Sequence, residues 1–110
     1  MTTLSTHVLD TAKGCPAAGV TVRLLHDDRV VFDGVTNQDG RCPELREIAL
    51  PSGVYQLEFA AAAYFHAQGM KLAEPPFLNV VPIVFGLGNE GHYHVPLLLS
   101  PYGYSTYRGS

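Results

Sequence analysis

Apolar residues recur at every second position in several short stretches of the chain, and this spacing predicts β-strands with one buried face. Residues 20–25 and 54–59 show it most clearly, because polar side chains alternate there with apolar ones. Proline and glycine separate the stretches in a way that is typical of antiparallel all-β proteins. The predicted strands are residues 4–10, 20–25, 30–35, 54–59, 78–85, 92–99 and 102–107, with a further short strand at 44–48.

Turn and helix signals complete this outline. Residues 37–40 (Asn-Gln-Asp-Gly) predict a tight turn that places Arg41 directly after it, because Asn, Asp and Gly tolerate left-handed backbone angles. Residues 60–63 are the best cluster of helix formers, and Gly69 predicts the end of one short helix. Pro82 places its strand at a sheet edge or a bulge. Seven or eight strands and one helix favour a β-sandwich.

Length, charge and composition exclude several classes of protein. The chain has 110 residues, so residues 1–110 are expected to form a single domain. The net charge is −3 and no run of basic residues occurs, which predicts no nucleic-acid binding. No stretch approaches the roughly 18 apolar residues of a membrane span. The first ten residues lack the layout of a secretory signal, so we expect a soluble cytoplasmic protein in which Cys15 and Cys42 are reduced thiols in turns.

The segment from residue 92 to residue 99 carries the strongest chemical signal. The apolar face of this strand must point to the core, whereas the histidine face has too few polar residues for a solvated sheet surface. We therefore predict that another subunit covers the histidine face, which favours a site built across a subunit interface. In a strand, His92, His94, Pro96 and Leu98 share one face, and Tyr93, Val95, Leu97 and Leu99 share the other.

These histidines leave three interpretations open at this point. They are ordinary strand histidines, or acid–base groups, or two ligands of a zinc site that His7 completes. Arg41 and Arg108 are either solvated charges or the planar donors that an anionic, planar substrate would need.

The segment from Gly86 to Gly91 matches the G-x-G-x-x-G pattern of dinucleotide-binding proteins. That pattern requires a helix after the glycines, so that the pyrophosphate meets the helix N-terminus. A predicted strand follows here instead. We interpret the segment as a glycine-rich hairpin turn.

Four segments of the chain carry a resemblance to known proteins: 4–10 (LSTHVLD), 39–41 (DGR), 92–101 (HYHVPLLLSP) and 104–110 (YSTYRGS). Together they resemble one known family, the 5-hydroxyisourate hydrolases, which are related to transthyretin. The resemblance runs from residue 4 to residue 110, and the Tyr-Arg-Gly-Ser ending is its most specific part. Residues 42–50 and 60–63 match no strict motif of the family.

The resemblance implies a fold, an assembly and a reaction. The fold is a transthyretin-like β-sandwich of two four-stranded sheets with one short helix. The assembly is a homotetramer, a dimer of dimers with active sites at the dimer–dimer interface. The reaction is the hydrolytic ring opening of 5-hydroxyisourate to 2-oxo-4-hydroxy-4-carboxy-5-ureidoimidazoline in urate degradation, with neither a metal nor an organic cofactor.

The resemblance also implies which residues form the site. His7, Arg41 and His94 match the family's catalytic residues. We expect the two histidines to deprotonate a water and pass a proton to the departing ring nitrogen, while Arg41 offsets the oxyanion. The expected substrate-binding residues are His92, Tyr107, Arg108, Gly109 and Ser110.

Three other functions fit parts of the sequence. A small-molecule carrier on the same fold is disfavoured, because transthyretin lacks the two strand histidines and the Tyr-Arg-Gly-Ser ending. A metal-dependent hydrolase would use His7, His92 and His94. A structural adhesion module is disfavoured because no export signal is apparent.

Overall fold

The structure, a computed structural model, describes residues 1–109, so the prediction for Ser110 lies outside the described residues. Within that range the chain forms eight strands, one α-helix and one 3-10 helix. The 3-10 helix is Pro43–Glu47 and α1 is Ala61–Ala67. The strands are β1 (Thr2–Asp10), β2 (Cys15–Pro16), β3 (Thr21–His26), β4 (Arg29–Val35), β5 (Gly53–Ala60), β6 (Val80–Leu87), β7 (Gly91–Ser100) and β8 (Gly103–Thr106).

The strands form two four-stranded sheets, which confirms the predicted all-β sandwich with one short helix. The first sheet has the order β2-β1-β7-β8 and the second has the order β4-β3-β5-β6. The expectation of a wholly antiparallel protein was wrong, because β1 and β7 pair in parallel from Thr2↔Gly91 to Asp10↔Leu99. Local turn signals report only on strands that follow each other along the chain, and these two lie almost ninety residues apart.

The core lies between the two sheets and is filled by the predicted apolar faces. On β7 the side chains of Val95, Leu97 and Leu99 are buried, and Tyr93 packs against them, as the alternation predicts. On β5 the residues Tyr55, Leu57 and Phe59 are buried in the same way. Since successive side chains of a strand point to opposite faces, the histidines of β7 are left on the outer face of the first sheet.

The short strand expected at residues 44–48 was wrong, since this segment is the 3-10 helix. Pro43 stands in its first turn, where a missing N–H costs nothing. The hydrogen bonds are local: Leu45 N donates to Cys42 O, and Ile48 N donates to Leu45 O. Leu45 is the one fully buried side chain of the helix, so the segment lacks the alternation of a half-buried strand.

Other differences concern strand ends and turns. The strand predicted at 78–85 begins two residues later and continues to Leu87, because Gly86 and Leu87 still pair with β5. Residues 88–90 join β6 to β7 in the other sheet, so the predicted hairpin turn is instead a connection between sheets. Pro82 lies on the edge strand β6, as predicted. Among the described residues, no helix is long and apolar enough to cross a membrane.

The two cysteines are free, as predicted, but their surroundings differ from expectation. Cys15 is exposed and belongs to β2, which pairs with the end of β1, where the sequence indicated only a turn. Cys42 is buried in the core, and this burial, together with the nearby Glu44 carboxylate, raises the pKa of its thiol to about 11. The Cys42 thiol is therefore protonated and unreactive near neutral pH.

Candidate active site

The parallel register of β1 and β7 sets two rows of polar side chains beside each other on the outer face of the first sheet. Thr3 lies opposite His92, and Ser5 lies opposite His94. Paired residues of neighbouring strands point to the same face, so these four side chains meet there. His7 follows on the same face of β1, opposite Pro96.

Hydrogen bonds join the four side chains into one chain. Thr3 Oγ1 lies 2.7 Å from His92 Nδ1. Ser5 Oγ lies 2.9 Å from His92 Nε2 and 2.7 Å from His94 Nδ1. The Ser5 hydroxyl therefore bridges the two imidazoles, and both ring nitrogens of His92 are engaged.

Arg41 reaches the same face through the turn that precedes it. Val8 N donates to Gly40 O at 2.8 Å, and Asn37 N donates to Arg41 O at 2.8 Å. These bonds place Arg41 beside β1 as the cross-strand partner of His7. Gly40 has a φ of +74° and lies against the backbone of Val8, which is a position that only glycine fills without strain.

A cleft of about 220 Å³ opens between β1 and the 3-10 helix. Its wall contains two guanidinium groups, those of Arg41 and Arg46, and no carboxylate. Such a wall favours a planar, electron-rich or anionic ligand. The lining residues are Ser5, Thr6, Arg41, Cys42, Pro43 and Arg46.

The three histidines of this face all have lowered pKa values. Burial is the main cause at His94, and the positive charge of Arg41 lowers its pKa further, followed by His7, His92 and Arg46. Burial and then Arg41 lower the pKa of His7, against a smaller opposing effect of the backbone and carboxylate of Asp39. Burial and Arg46 lower the pKa of His92. All three imidazoles are therefore neutral near pH 7, the state that a general base requires.

The C-terminal segment closes one end of this face. Gly109 N donates to His94 O at 2.7 Å, and Gly109 lies so close that an added Cβ would stand 2.8 Å from the imidazole Cδ2. Glycine is required at this position because the ring occupies the space of any side chain.

Arg108 lies apart from the histidines of β1 and β7. Its guanidinium carbon stands 3.8 Å above the ring of Tyr93, which belongs to the opposite, inward face of β7. Tyr107 and Arg108 line a cavity of about 240 Å³ between the edge strands β6 and β8. The structure thus brings His7, Arg41, His92, His94 and Gly109 together, and it places Arg108 on the other side of the sheet.

Sequence reasoning missed three residues of this site. Thr3 and Ser5 share the face of His7 by simple alternation along β1, so their position was readable, but their pairing with β7 was not. Arg46 was hidden because the segment was taken for a strand, and the 3-10 helix turns its side chain into the cleft.

A metal centre fits these residues poorly. His92 has both ring nitrogens in hydrogen bonds to hydroxyl groups, which leaves it no free nitrogen for coordination. Across residues 1–109, no three His, Cys, Asp or Glu side chains are grouped so that they could hold a metal ion.

Comparisons with known proteins identify the family of this chain. A 5-hydroxyisourate hydrolase of Mesorhizobium japonicum is 55% identical over 113 residues, which cover 97% of this chain and 91% of the relative. The structure of Klebsiella pneumoniae 5-hydroxyisourate hydrolase is similar with a TM-score of 0.88 and 39% identity, covering 100% of this chain and 94% of that one. Sea bream transthyretin in complex with thyroxine is also similar, with a TM-score of 0.83, 36% identity, and 96% and 93% coverage. The sequence profile called Transthyretin, of the HIUase/Transthyretin family, matches residues 4–109, and the chain belongs to this family.

Proposed function

We propose that this protein is a 5-hydroxyisourate hydrolase, which opens the ring of its substrate to 2-oxo-4-hydroxy-4-carboxy-5-ureidoimidazoline in urate degradation. The observation that carries the proposal is the group of neutral, half-buried imidazoles beside Arg41 on one sheet face. The relatives that carry the hydrolase name, at 41–55% identity and with nearly full coverage, supply the substrate.

The geometry suggests how the residues divide the work. His94 and His7 are neutral near pH 7, so either can take a proton from water as the water attacks a ring carbonyl. The guanidinium of Arg41 holds the planar substrate and offsets the negative charge that develops on the attacked oxygen. The proton then passes to the departing ring nitrogen. Each step uses only groups of this chain, water and substrate.

The C-terminal residues complete the site in this proposal. Gly109 packs against the His94 ring and fixes its position. Arg108 anchors the segment by stacking on Tyr93. Tyr107 precedes Arg108 in this segment, and we propose Ser110 as a further substrate-binding residue.

We also propose that the single domain of residues 1–110 assembles as a homotetramer whose dimer–dimer interface covers the histidine face. In one protomer the imidazoles of this face are only half-buried, and the apolar residues Pro96 and Leu98 lie on the same face. A partner subunit would therefore cover a partly apolar surface here. The edge strands β6 and β8 have one side unpaired, and apolar side chains such as Val84 and Tyr104 are exposed on them. Sedimentation equilibrium should give four chain masses. A monomer that stays fully active on dilution would contradict the assembly.

A cytoplasmic location completes the proposal. The two cysteines are unpaired, which suits a reducing compartment. Fractionation of the cells that make the protein should find it with cytoplasmic markers, and recovery in a secreted fraction would contradict the location.

The function is tested by generating 5-hydroxyisourate freshly from urate and following its ultraviolet absorbance with and without the protein, in the presence of a chelator. The proposal predicts a decay far above the spontaneous rate. Decay at the spontaneous rate from folded protein would contradict it. The alternative function, a carrier that binds thyroxine as in the sea bream transthyretin structure, would then be tested by calorimetric titration with thyroxine.

A further inference from the structure

The Ser5 hydroxyl stands between two imidazoles at hydrogen-bond distance from both. It is 2.7 Å from Nδ1 of His94 and 2.9 Å from Nε2 of His92. Because Nδ1 of His94 is engaged by Ser5, Nε2 is the ring nitrogen of His94 left for substrate and water. The proton transfers proposed above assign no role to Ser5 or His92.

When the Ser5 hydroxyl donates its proton within this chain, the hydrogen bonds have two arrangements. A hydroxyl has one proton to donate, and each neutral imidazole has one N–H. In the first arrangement, His94 Nδ1–H donates to Ser5, Ser5 donates to His92 Nε2, and His92 Nδ1–H donates to Thr3. In the second arrangement every donor and acceptor is exchanged. Only the first arrangement leaves Nε2 of His94 without a proton, as a general base requires.

The charged groups around His94 affect where the proton taken from water is held most stably. When Nε2 of His94 takes a proton from water, a positive charge appears beside Arg41, His7 and Arg46. Burial and Arg46 lower the pKa of His92, whereas Arg41 and His7 add to the lowering of the pKa of His94. A doubly protonated His92 would have an acceptor for each N–H, namely the hydroxyl oxygens of Thr3 and Ser5. His92 has fewer positive neighbours than His94 and an acceptor for each N–H, so it is the better placed of the two to hold the extra proton.

We propose that Ser5 and His92 are positioning residues for His94, which fix its reactive tautomer and hold the proton of the reaction between its two transfers. This inference rests on the proposed hydrolase function. As His94 Nε2 takes the proton of the attacking water, the Nδ1 proton moves to Ser5 Oγ, and the Ser5 hydroxyl proton moves to His92 Nε2. The same protons return when His94 Nε2–H protonates the departing ring nitrogen, so the residues end as they began.

Two variants separate the two parts of this role. Ser5→Ala removes the bridge altogether. His92→Gln retains an amide oxygen that can accept from Ser5 and so keeps the tautomer, but it cannot take up a proton. Matched controls are Ser105→Ala and His66→Gln. Ser105 is an exposed serine of β8 on the same face of the first sheet as Ser5, and His66 is an exposed histidine of α1. Ser5→Thr restores the hydroxyl.

The kinetic readout is kcat, KM and the pH profile of 5-hydroxyisourate hydrolysis. We expect Ser5→Ala to lose about 10–100-fold in kcat with KM nearly unchanged, since general acid–base catalysis contributes about 10²–10⁴-fold. We expect the acidic limb to move to lower pH, because the hydrogen bond from Nδ1–H is stronger in the imidazolium. Ser5→Thr should recover most of kcat, and His92→Gln should lose kcat while the tautomer persists. A Ser5→Ala variant with wild-type kcat and pH profile would overturn the proposal.

Nitrogen-15 NMR of the histidine rings provides a readout that needs no turnover, and the wild-type protein alone already decides it. At a pH above the imidazole titrations, the wild-type protein should show His94 protonated at Nδ1, and His92→Gln should show the same. Observation of the Nε2–H tautomer in the wild-type protein would overturn the proposal. If the wild-type protein does not accelerate the decay of 5-hydroxyisourate, the proposed function fails, whereas the tautomer still decides whether the Ser5 bridge exists as described.

Discussion

The two sheets present outer faces of very different character, although they have the same number of strands. On the second sheet, Arg23 and Glu58 form a cross-strand pair at 3.8 Å, with the Arg23 side chain exposed and the Glu58 side chain half-buried. Gln56 donates to Glu58 at 2.9 Å, and Val54 next to it on β5 is exposed. Ion pairs of this kind contribute about 0–1 kcal/mol. The polar groups of this face are hydrated, and apolar side chains such as Val84 are also exposed on it.

The outer face of the first sheet carries instead a group of neutral polar side chains that are hydrogen-bonded to each other. Ser5 links His92 and His94, and Arg41 forms a β-bridge with the neighbouring His7. Partial burial and nearby guanidinium groups lower the pKa values of all three histidines. A polar face is a candidate for catalysis when its titratable groups are desolvated and held in a fixed orientation. Residue composition alone does not distinguish such a face from a hydrated polar surface.

The largest expected effect comes from removing an imidazole of the first sheet. His94→Ala and His7→Ala should each lower kcat/KM for 5-hydroxyisourate by about 10²–10⁴-fold, because they remove the groups that transfer protons. The matched control is His66→Ala, since His66 is exposed on α1. Circular dichroism and sedimentation should show that the variants keep their fold and assembly. Near wild-type turnover in either variant would show that the different character of the two faces does not reflect catalysis.

The second largest effect on the rate is expected from loss of the Arg41 guanidinium. Arg41→Gln should lower kcat by about 10²–10³-fold, as expected for a group that stabilises an oxyanion. Arg41 also lowers the pKa values of His7 and His94, so its removal should move the acidic limb of the rate profile to higher pH. Arg23→Gln on the second sheet provides the control and should leave both quantities unchanged. An unmoved limb in Arg41→Gln would contradict the electrostatic part of the account.

A single methyl group at residue 109 should have a smaller effect. In Gly109→Ala the new Cβ would stand 2.8 Å from Cδ2 of His94, so the imidazole must shift. Misplacement of a catalytic group by about 1 Å can cost on the order of 100-fold in rate, and we expect a loss of about 10–100-fold. Gly103→Ala is the control, since the nearest atom to its added Cβ is 3.8 Å away. Equal activity of the two variants would show that the C-terminal segment does not position His94.

The smallest effect is expected at Arg108, whose guanidinium stacks on Tyr93 on the inward side of the sheet. A cation–π contact of this kind is worth about 0.5–1 kcal/mol, which corresponds to less than a tenfold change in rate. Arg108→Ala should therefore lower the melting temperature slightly and change kcat/KM by only a few-fold. A loss of 100-fold with an unchanged melting temperature would place this side chain in contact with substrate.

The sequence predicts the inward side of the molecule better than the outward side. Alternation along β5 and β7 identifies Tyr55, Leu57 and Val95 as core residues, because burial of apolar area follows a period of two. The parallel pairing of β1 with β7 has no local signal, so the contact between Ser5 and His94 was not predictable. Arg46 escaped because one proline and local hydrogen bonds turned an apparent strand into a 3-10 helix.

The most direct test is the pH dependence of kcat/KM for 5-hydroxyisourate in the wild-type protein, with the spontaneous decay subtracted at each pH. Protonation of the histidines removes the general base, so kcat/KM falls as the pH drops through their pKa values. Burial and the neighbouring positive charges lower those values, and the account therefore predicts an acidic limb centred below the ordinary histidine pKa of 6.5. A limb centred above 6.5, or a rate that does not vary with pH in this range, would contradict catalysis by the neutral histidines of the first sheet.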